Sequence, residues 1–227
     1  MRIQTIDHNT PNRGKVWSAD GRVTPVAAVL AELECDPPAN RKAGYRVVST
    51  DDPALCLFHL LAGWLQSQVV VFAGRVETAK EMLEREDYVI AADIELRGRD
   101  SRLTYADLRF PLPATAPAAV VMSSGTTGKP KGILLSRDGI EHSADIIIDT
   151  FGLEPHEKYG NLSPVHTMGG LRSFMLALRF GRDIEFFDGA EERDLAFVQR
   201  VLCSGVSVAL SGASFVRLLD VSGRWLA

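Results

Sequence analysis

The chain has 227 residues, 46% of them hydrophobic and 24% charged, with a formal net charge of −4. That balance describes a soluble globular protein with one large or two small domains and enough chain to bury a core without staples. The mild acidity and scattered basic residues exclude a nucleic-acid footprint, and Cys35, Cys56 and Cys203, odd in number and far apart, read as buried thiols of a reducing cytosol rather than disulfides or metal ligands.

The N-terminus, MRIQTIDHNTPNRGK, is polar and unlike a signal peptide. Residues 1–43 are weakly patterned and read as an irregular N-terminal segment with one short helix at Val26–Glu34. From Tyr45 strand-like and helix-like stretches alternate. YRVVST (Tyr45–Thr50) is rich in β-branched residues and predicts a strand. Asp52-Pro53 then opens a helix that runs to about Gln66, with proline accepted in the first turn. This segment holds the longest apolar run, near Leu55–Leu65; it contains His59 and is too short to span a bilayer, so no membrane span and a cytoplasmic location are expected. VVVFAG (Val69–Gly74) predicts a second buried strand, Val76–Glu86 a charged helix, and Tyr88–Ile94 a third strand. Strands separated by helices predict βαβ units and a layered α/β fold: a largely parallel β-sheet flanked by helices.

FPLPATAPAA (Phe110–Ala119) is a Pro/Ala-rich connector that either separates a first α/β subdomain, 44–110, from a second, 118–227, or runs over the surface into the next strand. The second begins with the strand AAVVMSS (Ala118–Ser124), a Gly-rich loop and the strand ILLS (Ile133–Ser136). Ser136 is placed to cap a helix whose apolar face is Ile140, Ala144, Ile147, Ile148 and Phe151. A strand near Lys158–Ser163, a turn and a helix at Gly169–Phe180, closed by Gly181, come next. Strand Asp183–Phe187, helix Glu191–Leu202, strand Val206–Leu210 and helix Ser214–Leu219 complete the series.

The Gly-rich loop is Ser123-Ser124-Gly125-Thr126-Thr127-Gly128-Lys129-Pro130-Lys131-Gly132. Its glycines let the backbone approach a ligand and turn successive N–H groups inward. The hydroxyls of Ser123, Ser124, Thr126 and Thr127 can donate to phosphate oxygens, and Lys129 and Lys131 add positive charge. Pro130 stiffens the loop and pushes Lys129 toward an extended conformation. This donor set suits a polyphosphate. It is not the Walker pattern, in which Gly-Lys is followed by Ser or Thr and opens a helix; here Lys129 is followed by Pro130 and a strand.

The loop resembles the signature of the adenylate-forming superfamily: acyl-CoA and aryl-CoA synthetases, luciferases and the adenylation domains of peptide synthetases. Two further stretches resemble the same family. Ser163-Pro164-Val165-His166-Thr167-Met168-Gly169-Gly170-Leu171 is similar to its Pro-x-x-His-x-x-Gly segment, with Val165 where an aromatic is usual, and VSVALSGASFVRLL (Val206–Leu219) is similar to a structural strand–turn–helix, with Ala213 where proline is common. The resemblance is good from about Ala118 onward and extends in pattern only to Tyr45–Ile94.

The resemblance implies part of the large N-terminal domain of an enzyme that joins a carboxylate to ATP, giving acyl-AMP and pyrophosphate, and then passes the acyl group to a thiol of coenzyme A or a carrier protein. It implies that Thr126, Thr127 and Lys131 hold the departing phosphates, with Ser123, Ser124, Gly125, Gly128 and Lys129 completing the cradle. Mg²⁺ is expected to share the task, reached by Thr126 only indirectly through ATP. His166 is expected to line the site of the acyl or aryl carboxylic acid, with Met168, Leu171, Phe174 and Met175 either lining an apolar substrate pocket or forming the buried face of a helix. No segment similar to the family's Tyr-Gly-x-Thr-Glu motif, its ribose-binding aspartate motif or its small C-terminal domain with the catalytic lysine is found, and Glu191 and Glu192 read as solvated residues at a helix start. Three roles follow: one part of a ligase completed by a second chain or by the remainder of a longer protein, a non-catalytic nucleotide- or acyl-binding module, or a fragment or relic of the fold with no independent role.

Overall fold

The structure is a computed structural model in which residues 14–35, 44–83, 88–97, 101–123, 131–151, 157–187 and 195–210 are described. Two five-stranded sheets form its frame. In the first, β3 (Tyr45–Val48), β4 (Val69–Phe72), β5 (Tyr88–Ile90) and β6 (Pro117–Ser123) are parallel, and β7 (Lys131–Ser136) returns antiparallel along β6; the order is β5-β3-β4-β6-β7. In the second, β8 (Lys158–Asn161), β9 (Asp183–Phe186) and β10 (Val208–Leu210) are parallel, and β1 (Lys15–Trp17) joins β9 in parallel while pairing β2 (Val23–Pro25) antiparallel. Residues of 44–110 and of 118–227 share the first sheet, because β6 pairs directly with β4.

Helices α1 (Val26–Cys35), α2 (Pro53–Leu65), α4 (Arg137–Phe151) and α5 (Met168–Phe180) pack into one continuous core with the inward faces of both sheets. Helix α3 (Val76–Leu83) covers the other face of the first sheet, with Ala79 and Met82 against Val47, Val71 and Val120. Helix α6 (Leu195–Cys203) covers the other face of the second through Phe197 and Val201 against Leu162 and Phe187. Two sheets thus alternate with three helical layers, and α2, lying between the sheets, is buried nearly all round, as its apolar composition, broken only by His59, requires.

Local chemistry fixes the ends of these elements. The Asp52 carboxylate accepts from the N–H groups of Ala54 (2.9 Å) and Leu55 (3.3 Å), with Pro53 in the first turn of α2; such a cap contributes about 1 kcal/mol. The Ser136 hydroxyl accepts from Gly139 N–H at the start of α4 (3.1 Å), and Gly181 closes α5 in the left-handed region at φ 62°. Phe110 of the connector packs edge-on against Trp64, with the Arg137 guanidinium over its ring.

Three expectations change. The stretch read as irregular contains β1 and β2, which pair locally with each other, and β1 finds its second partner, β9, far along the chain: Lys15 N–H donates to Asp183 Oδ1 (3.0 Å), 168 residues away. Of the three free cysteines only Cys56 is buried; Cys35 and Cys203 are exposed. Leu171, Phe174 and Met175 are wholly buried core residues of α5, so the helix-face alternative holds for them. Among the described residues no helix is long and apolar enough to cross a membrane. Glu191, Glu192 and the expected helix Ser214–Leu219 lie outside the described residues.

Candidate functional site

In a parallel sheet all strands end on the same edge, and ligands bind in the crevice beyond that edge. Here β3, β4, β5 and β6 end at Val48, Phe72, Ile90 and Ser123. The polyphosphate-type loop follows the last of these. Ser123 closes β6 and pairs in register with Lys131, which opens β7 with its side chain exposed. Ser124, Gly125, Thr126, Thr127, Gly128 and Lys129 fall within 124–130, outside the described residues. Just past the loop, Gly132 has no space for a side chain: a Cβ there would come 2.4 Å from Met82 Sδ and 3.0 Å from Val120 Cγ1. Glycine at this position lets β7 lie close under α3.

His166 reaches the same edge from the second sheet. It stands on the turn between β8 and α5, and the turn is tightly tied. Asn161, buried at the end of β8, donates from Nδ2 to Ser163 O (2.7 Å). The Thr167 hydroxyl and N–H both donate to Pro164 O (2.7 and 3.1 Å). A Cβ on Gly170 would stand 2.0 Å from Val165 O, and one on Gly169 2.8 Å from the Ser163 side chain. Two successive glycines therefore allow α5 to start directly against the turn. The His166 ring comes to rest over Gly74, just beyond β4, where Cε1 and Nε2 lie 3.8 and 3.9 Å from the position of a Cβ. Strand β4 is the neighbour of β6. The fold thus brings the histidine motif and the root of the Gly-rich loop to adjacent strand ends.

Beyond β3 and β5 a cavity of about 430 Å³ is lined by Ser49, Thr50, Asp51, His59, Ala91 and Asp93. His59 is one wall of a buried polar network. The Arg46 guanidinium donates to Gln68 Oε1 (2.9 Å), to Gln66 Oε1 (2.9 Å) and, at 3.3 Å, to His59 Nδ1, while His59 Nε2 meets Ala92 O at 3.0 Å. A guanidinium can only donate and a carbonyl only accept, so the ring is held neutral with its proton on Nε2. Burial, reinforced by Arg46, pushes its pKa down to about 4. No group of three or more metal-ligating side chains is found among the described residues.

Asp51 and Gly74 escaped sequence reasoning, which stopped at Asp52-Pro53 as a helix start and at Gly74 as the end of a strand. The signal was available in the rule that residues just after parallel strands line the ligand crevice.

A two-sheet α/β module with a Gly-, Thr- and Lys-rich hairpin and a histidine at adjacent strand ends is the architecture of the N-terminal domains of adenylate-forming enzymes. The chain belongs to the AMP-binding enzyme family, whose model matches residues 41–219. It is 27% identical over 158 residues to a probable non-canonical nonribosomal peptide synthetase of Salinispora arenicola, and 29% identical over 103 residues to tyrocidine synthase 1 of Brevibacillus parabrevis. Those alignments cover 68% and 45% of this chain but 2% and 9% of the two relatives. Among solved structures, an o-succinylbenzoate CoA synthetase from Bacillus subtilis in complex with its acyl-adenylate superposes with a TM-score of 0.65 at 14% identity, over 93% of this chain and 62% of that one. The N-terminal subdomain of NpsA from Klebsiella oxytoca, in complex with 3-hydroxybenzoyl-AMSN, superposes with a TM-score of 0.62 at 18% identity, over 93% and 59%.

Proposed function

We propose that the chain binds the phosphates of ATP through residues 123–131 and contributes to formation of an acyl-adenylate from a carboxylic acid. The observation that carries this reading is the convergence of the β6–β7 hairpin and His166 on neighbouring strand ends. The described part of the site fits a polyphosphate in its chemistry, with a solvent-facing lysine at the root of the loop. Structures of the Bacillus subtilis synthetase hold ATP with magnesium and AMP, which supports the same ligands here.

In this reading the carboxylate oxygen attacks the α-phosphorus and the bond to the β,γ-diphosphate breaks, releasing pyrophosphate. Lys131, Lys129 and the Ser123, Ser124, Thr126 and Thr127 hydroxyls, with the N–H groups of Gly125 and Gly128, neutralise the charge that gathers on the leaving group; fixed donors aimed at developing charge supply the largest share of such catalysis. Mg²⁺, contacted by Thr126 only through the nucleotide, would add further charge neutralisation. His166 orients the carboxylate for attack. Coenzyme A or a carrier-protein thiol accepts the acyl group, and a second chain, or further sequence of the same protein, carries the adenosine-binding motifs and the catalytic lysine.

Carboxylate-dependent exchange of labelled pyrophosphate into ATP tests the reading across fatty, aryl and amino acids. With the part that carries the adenosine-binding motifs and the catalytic lysine supplied, the expected result is exchange with one class of acid, reduced about 100-fold in Lys131→Ala. Exchange undiminished in that variant would overturn the assignment of Lys131.

A further inference from the structure

From the position of Asp51 we infer that this residue is a positioning residue for His166, holding the proton on Nδ1 so that Nε2 is the nitrogen presented to the ligand beside Gly74. His166 Nδ1 is buried and makes no hydrogen bond among the described residues. The carboxylate facing it is Asp51, with Oδ1 3.7 Å away. That is about 0.5 Å beyond an ordinary N–H···O contact. Leaving a buried ring nitrogen unpaired is unfavourable, and that is the driving force for closing the gap.

The backbone around Asp51 is fixed while its side chain is left free to do this. Thr50 Oγ1 accepts from Asp52 N–H (3.2 Å), Thr50 O accepts from the Cys56 thiol (3.1 Å), and Asp52 O accepts from Cys56 N–H (2.9 Å). The two neighbouring carboxylates divide the work. Asp52 caps α2 and pairs with Arg22. Asp51 takes no part in that cap, and its side chain is 73% exposed, that of His166 27%. A carboxylate oxygen accepts only, so an Asp51–His166 bond must take the proton of Nδ1–H. Nε2 is then left facing the crevice.

The inference deepens the proposed role of His166 and rests on it, but its test does not depend on nucleotide binding. In the full chain labelled with ¹⁵N-histidine, long-range proton–nitrogen correlation at about pH 8, where an ordinary imidazole is neutral, reports the tautomer of each ring; His166→Gln assigns the signal. The expected result is Nδ1–H at His166, shifting to mainly Nε2–H in Asp51→Ala and retained in Asp51→Asn, whose amide oxygen also accepts. The His59 signal serves as an internal check of folding and stays Nε2–H throughout. An Nε2–H tautomer at His166 in the unaltered chain, or a tautomer unmoved by Asp51→Ala while His59 is unchanged, would overturn the inference. Failure of ATP to bind would leave the tautomer result standing and count against the nucleotide reading instead.

Discussion

Replacing Gly170 by alanine strikes the turn that carries His166. The added Cβ would stand 2.0 Å from Val165 O and 2.6 Å from Val165 C, where ordinary contact begins at 3.4 Å. Both atoms belong to the backbone, so no side chain can rotate away, and the Val165 peptide must move by about 1.4 Å, the difference between 3.4 and 2.0 Å. That peptide is held by buried Val165 and the bonds from Thr167 to Pro164 O. Overpacking of this kind costs about 3 kcal/mol. Gly205→Ala is the natural comparison: it sits at φ 75° with nothing within 4 Å, so it suffers only left-handed backbone strain, about 1 kcal/mol. Urea unfolding followed by far-UV circular dichroism gives both differences on one scale. A Gly170→Ala loss no greater than that of Gly205→Ala would refute the tight-turn argument. A large loss carries a second consequence, since a shift of about 1 Å at a positioned group can cost about 100-fold in rate.

Two further outcomes follow from burial. His59 has its folded pKa lowered, to about 4, by burial first and Arg46 second. Its neutral form is the one the fold prefers, so its contribution is fully present above the unfolded value of about 6.5 and is lost as pH falls from there toward 4. The loss is on the order of 3 kcal/mol, and urea midpoints across that window should fall more steeply in the unaltered chain than in His59→Gln; parallel slopes would contradict the network. Cys56 has its thiol pKa pushed up by burial and by the nearby Asp52 and Asp51 charges, whereas Cys35 and Cys203 are exposed. A thiol reagent should therefore label Cys35 and Cys203 in the native protein and Cys56 only on unfolding; native labelling of Cys56 would contradict its burial.

Where the chain's own pattern decides structure, the sequence was readable. The β-branched runs at Val47-Val48 and Val69–Val71 form buried parallel strands, and Asp52-Pro53 caps α2 as an Asp-Pro pair should. Where a distant partner decides, it was not. Val16 belongs to a strand because Ile184 is beside it, and three residues of weak pattern carry no sign of that. Leu171, Phe174 and Met175 show a helical apolar face, but periodicity cannot tell a face that meets the core from one that meets a ligand. The same limit hid Asp51. Its neighbour Asp52 advertised a helix start, while the partner of Asp51 lies on the turn after β8 in the other sheet. The two strands that flank the Gly-rich loop were legible because each is a short apolar run next to a glycine-rich break, and they pair from Ser123 and Lys131 outward.

The most direct test of the account is a calorimetric titration of the chain with ATP and Mg²⁺, repeated on Lys131→Ala. A charge-assisted contact to phosphate is worth about 1.5–3 kcal/mol. The account predicts saturable binding that weakens about 10- to 100-fold in the variant. No binding at about 1 mM nucleotide, or equal binding by both proteins, would contradict the assignment of residues 123–131 as the grip on the ATP phosphates.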